Sequence, residues 1–143
     1  MEFAADNHVV KLCAQGMDFE GLGKSEDALR LFLQAWGEAS NNFEKFIAAH
    51  YVARHQNSVT EKLEWDETAL RLALEIDDAN VKGAWPSLYL NVGKCYEDLK
   101  RPQDAKANYE LALSFTNFLH DDGYGNMIRG GIMNGLSRVT ADE

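Results

Sequence analysis

A chain of 143 residues, 45% hydrophobic and 26% charged, is long enough for one globular core without metal or disulfide support. Fourteen Lys plus Arg against 23 Asp plus Glu leave a net charge of -9, which repels nucleic-acid phosphates and anionic lipid, and no basic cluster interleaved with aromatics offsets it. No apolar run approaches the ~18 residues of a spanning helix, and Met1-Glu2-Phe3 lacks the basic start of a signal peptide, so a cytoplasmic protein with no membrane or nucleic-acid partner is expected.

Apolar residues recur at helical spacing throughout, which predicts an all-α fold of about seven helices. The first runs from about Asp6 to Leu22 on a stripe of Val9, Leu12, Cys13, Gly16 and Phe19, and ends at Gly23, a residue suited to the left-handed conformation. Ser25 is the expected cap of the second, which carries Ala28, Leu29, Phe32, Ala35 and Trp36 and has Glu26 and Asp27 at its positive end. The third spans about Asn42 to Gln56 on Phe43, Phe46, Ile47, Tyr51 and Val52. The fourth, capped by Thr60, runs to about Asp77 on Leu63, Ala69, Leu70, Leu72, Ala73 and Ile76. A single stripe of Val81, Trp85, Leu88, Val92, Cys95 and Leu99 predicts a fifth helix from about Asn80, bent where Pro86 removes a donor. Pro102 opens a sixth, reaching Phe118. The seventh runs from about Gly123 to Arg138 on Tyr124, Ile128, Ile132 and Leu136, with Gly131 and Gly135 leaving room for another backbone.

Two segments repeat each other. Gly16, Phe19, Ala28, Phe32 and Ala35 carry the spacings 3, 9, 4 and 3, and so do Gly93, Tyr96, Ala105, Tyr109 and Ala112. Small residues at these places let paired helices approach while the aromatics fill the space between them. The pattern resembles the tetratricopeptide repeat (TPR). Repeats of about 34 residues would put the two glycines about 68 apart. They are 77 apart, so the middle repeat is longer, with its surplus expected near Gln56 to Trp65 and Ala49 and Val52 at its glycine and aromatic places. The expected architecture is one domain over the whole chain: repeats over about 9–41, 42–79 and 80–118, then a capping helix over about 123–138, in a right-handed superhelical stack of antiparallel pairs.

The resemblance implies a non-catalytic adaptor that holds a peptide or partner surface in the groove lined by the first helix of each pair, with no cofactor or metal. Carried over by position, that groove is lined by Cys13, Met17 and Glu20, by Phe46, His50 and Arg54, and by Leu90, Asn91, Lys94 and Glu97. Cys13 and Met17 stand where chaperone-binding members of the family have carboxylate-clamp residues, so that clamp is not preserved. Two other readings follow from the residues. His50 with Arg54, and Asn91 with Lys94, lie one helical turn apart and could form a small-anion site, as in a ligand sensor or enzyme accessory. Arg54 paired with Glu64 or Glu97, and His50 as a half-buried helical histidine, account for the same residues without a ligand. Exposed aromatics would alternatively support self-association into a homo-oligomer. Catalytic signatures are absent from the sequence: the five-residue spacing of His50 and His55 does not fit a zinc pair, and the Gly123–Gly131 stretch lacks the lysine of a phosphate loop.

Overall fold

The computed structural model describes residues 6–141, which are helical with no strand. Eight α-helices form: α1 (His8–Gly21), α2 (Ser25–Glu38), α3 (Asn42–Val52), α4 (Val59–Leu74), a single turn α5 (Ala79–Lys82), α6 (Trp85–Asp98), α7 (Pro102–Ser114) and α8 (Gly123–Thr140). Short 3₁₀ turns follow α3 at Ala53–His55 and α7 at Thr116–Phe118. The chain divides into two compact units, one ending at Ile76 and one beginning at Asp77.

In the first unit α1 packs on α2 and α3 on α4 as two antiparallel hairpins, with α3 also lying over α1 and α2. Capping residues set where these helices begin. Asn7 accepts the Val10 amide, Asn41 the Glu44 amide and Ser58 the Glu61 amide, each side chain occupying one of the free donors of a first turn. Ser58 also donates to the Glu61 carboxylate, so it is Ser58 and not Thr60 that caps α4. Ser25 does not cap α2. It is the first helical residue, after a Lys24 that makes no side-chain cap. The third helix ends at Val52, four residues before Gln56, and tightens into its 3₁₀ turn, and α4 stops at Leu74.

In the second unit α6 packs on α7 and α8 lies over both, as α3 lies over the first hairpin. The stretch read as one bent helix is broken. α5 ends at Lys82, the Ala84 amide bonds to the Val81 carbonyl in a tightened turn, and Pro86 sits in the first turn of α6, where no amide is required. The sixth predicted helix likewise ends at Ser114, before Phe118. α8 continues to Thr140 with Asp122 as its cap, and Tyr124, expected inward, is 40% exposed.

The repeat is visible in the packing. Phe32 lies so close to Gly16 that no Cβ fits on the glycine, and a Cβ on Gly93 would meet Tyr109 at 2.7 Å. Both hairpin turns close identically. Gly23 (φ 74°) and Lys100 (φ 62°) are left-handed, the amides of Lys24 and Arg101 reach back to Phe19 and Tyr96, and those of Gly23 and Lys100 to Glu20 and Glu97. The turns of the two units thus share the spacing of the sequence repeat. The added length of the middle repeat does not lie near Gln56 to Trp65. Helices α1 to α4 start at even steps of 17 residues, His8, Ser25, Asn42 and Val59, and α6 to α7 keeps the same step, so the surplus falls between α4 and α6, around α5.

Candidate functional site

Even spacing of the helix starts changes which residues of the middle hairpin correspond to the repeat signature. In register with Gly16, Ala28, Phe32 and Ala35 stand His50, Lys62, Asp66 and Ala69. The last position stays small. The other three exchange a glycine, an alanine and an aromatic for three ionisable side chains, and this is the most polar departure from the pattern in the described residues. Asp66 is 2% exposed and accepts from Lys62 one turn earlier on α4. The Nδ1 atom of His50 is buried without a hydrogen-bond partner. Burial, then the charges of Arg54 and Lys62, lower the His50 pKa to about 3, so the imidazole is neutral at physiological pH. A buried charge and an unmet ring nitrogen both oppose folding, the latter by ~1–3 kcal/mol.

Around this trio the first unit builds a clasp. Glu20, near the end of α1, accepts from Arg54 Nη1 at 3.1 Å and pairs with His55 Nε2 at 2.7 Å. The Arg54 guanidinium lies 4.6 Å from the centre of the Tyr51 ring, and Tyr51 and His55 both stack on Phe32, at 5.2 and 5.8 Å. The partner of Arg54 is therefore Glu20 rather than Glu64 or Glu97. His55, whose spacing from His50 does not fit a zinc pair, is placed here by a contact with an acidic residue 35 positions away that carries no local signal.

The second unit repeats the clasp. Glu97 occupies the place of Glu20, and Arg138 of α8 grips it with Nε at 2.8 Å and Nη2 at 3.0 Å, while the Tyr109 hydroxyl donates to it at 2.7 Å. Tyr51 precedes Arg54 by three residues and abuts Phe32; Gly135 precedes Arg138 by three and abuts Tyr109, where a Cβ would come within 2.6 Å. The Arg138 hydrogen bonds hold the Glu97 carboxyl below its usual pKa, and burial with the Glu97 bond raises that of the Tyr109 phenol. Gly131 and Gly135 admit side chains, Leu90 and Tyr109, rather than another backbone.

The predicted groove residues divide accordingly. Met17 is exposed (39%) on α1, and Asn91 and Lys94 are accessible on α6, where Lys94 binds Asp98. Cys13 and Phe46 do not line a surface: both face the interior, with Phe46 at 0% and Cys13 at 1% exposure, and burial pushes the Cys13 thiol up to about 12. Leu90 packs toward Gly131. Arg54 and Lys94 each carry a carboxylate of their own unit, so an anion would have to displace Glu20 or Asp98. The glycine-rich Gly123–Gly131 stretch is helix, with Arg129 donating to the Thr116, Leu119 and His120 carbonyls. An open depression of about 540 Å³ runs along α4 between Thr60 and Arg71 and contains none of the predicted site residues. Among the described residues no cluster of His, Cys, Asp and Glu has the makings of a metal site, and no helix is long and apolar enough to cross a membrane.

No family model, no curated protein and no solved structure matches this chain.

Proposed function

We propose that the protein is a TPR-like adaptor, a right-handed stack of helical hairpins without catalytic activity of its own, that binds a peptide or partner surface along the first helices of its hairpins. The 34-residue interval between the starts of α1 and α3 matches the period of that repeat and supports the reading. Recognition is assigned to accessible residues on or just beyond those helices, Met17 and Arg54 in the first unit and the half-buried Asn91 and exposed Lys94 in the second.

One observation carries the proposal. The middle hairpin gives up the small, small, aromatic trio that packs its neighbours and keeps His50, Lys62 and Asp66 instead, a choice that costs stability and supplies polar specificity. The Arg54 side chain, just past the end of α3, remains 43% exposed, so its charge reaches a partner while the rest of the cluster supports it.

The test is affinity capture from native lysate with wild type and an Arg54→Ala/Lys94→Ala variant, followed by amide exchange on the purified complex. Protection of α1, α3 and α6, and loss of the partner with the folded double variant, is the expected result. Co-purification of a small anion in place of a protein, or protection confined to α2 and α7, contradicts it.

A further inference from the structure

The outward face of α8 carries methionine and asparagine rather than charge. Asn126, Met127, Gly130, Met133 and Asn134 are all exposed, Met127 by 63% and Met133 by 54%. α8 contains no acidic residue, and its two arginines turn to their own unit, Arg129 to backbone carbonyls and Arg138 to Glu97. In the register that sets Arg138 beside Arg54, Gly130, Met133 and Ser137 fall at the places of Phe46, Ala49 and Ala53, each buried to within 1%, and Asn126 and Met127 at those of the exposed Asn42 and half-buried Phe43. The middle of this face is thus buried on α3, which packs against α4, α2 and α1, and open on α8.

We propose that the cover is the α8 of a second copy, packed antiparallel about a twofold axis at Gly130. The sequence of the face reads the same in both directions from that residue: methionine three away on either side (Met127, Met133), asparagine four away (Asn126, Asn134), and a small residue seven away (Gly123, Ser137). Antiparallel pairing sets each residue against its mirror in the other copy, so methionine meets methionine and asparagine meets asparagine. Gly130 has nothing within 4 Å of its Cβ position and lets the two backbones approach. Charge favours the same occupant. Each copy carries a net charge of -9, and α8 brings no carboxylate of its own to oppose its mirror in the second copy. The same register brings Asp122 of one copy, eight residues before Gly130, beside Arg138 of the other, eight after it; the Arg138 side chain is 48% exposed while holding Glu97.

Sedimentation equilibrium of the full chain gives twice the monomer mass. Gly130→Glu leaves the melting temperature of the monomer unchanged or raised, because the position is open, and weakens the dimer by about 100-fold or more by burying two like charges at the axis. In mild oxidant Gly130→Cys cross-links to itself and Ser137→Cys does not, while the native Cys13 and Cys95 stay buried. A monomer at every concentration, a dimer indifferent to Gly130→Glu, or cross-linking at position 137 in preference to 130 would overturn the proposal; a monomer that instead captures a helix of a different protein on this face would do so too.

Discussion

Gly93 and Tyr109 are packed so closely that a Cβ on the glycine would stand 2.7 Å from the ring. The ring is held from the other side by Gly135, and its hydroxyl is anchored on Glu97, so it cannot retreat. Gly93→Ala gains up to ~1 kcal/mol of helix propensity and loses ~1–3 kcal/mol to overpacking. Urea unfolding is expected to show net destabilisation. The control is Gly37→Ala in α2, where the Cβ meets nothing within 4 Å and stability is unchanged or higher.

Lys100 occupies the left-handed position that Gly23 takes in the first unit. A side chain there costs about 1 kcal/mol, and nothing in the Lys100 hydrogen-bond pattern depends on its side chain. Lys100→Gly is expected to stabilise by about 1 kcal/mol and Gly23→Ala to destabilise by a similar amount, measured by thermal unfolding.

The two units carry pH dependences that begin at different pH and overlap in acid. Glu97 has a folded pKa below its ordinary 4.5, so its contribution is complete above pH 4.5 and is lost as pH falls further. His50 has a pKa lowered from 6.5 to about 3; the unfolded chain takes up its proton first, and stability drains as pH falls from 6.5 toward 3. Glu97→Gln is expected to cost ~1–2 kcal/mol at neutral pH, with the difference from wild type vanishing in acid. His50→Gln flattens the profile between pH 6.5 and 4.5. In wild type the His50 ring signals in NMR do not titrate between pH 5 and 8.

The helices and the Gly–aromatic pairs were legible because both rest on local periodicity: Gly16 with Phe32 and Gly93 with Tyr109 share one spacing. The register of the middle hairpin was not. Seeking a small residue and an aromatic, the sequence favours Ala49 and Val52, and only the even starts of α3 and α4 reveal His50 and Ala53 in those places, and Asp66 at the place of Phe32. Helix ends were misjudged where a side chain rather than a propensity sets them, as at Ser58. The Glu20 and Glu97 clasps were hidden because their arginines come from another helix and a long-range contact leaves no periodic trace. The groove set shrank for a related reason: the positions carried over from the resemblance placed Phe46 in the groove, whereas α3 is packed on more than one side and buries it.

The stability of a His50→Gly/Lys62→Ala/Asp66→Phe variant tests the central claim most directly. It restores to the middle hairpin the trio its neighbours carry. If His50, Lys62 and Asp66 are kept for recognition at a cost to folding, urea unfolding will show the variant more stable than wild type by about 1 kcal/mol or more. A variant less stable than wild type would mean that the three polar residues hold the hairpin together, and would contradict the account.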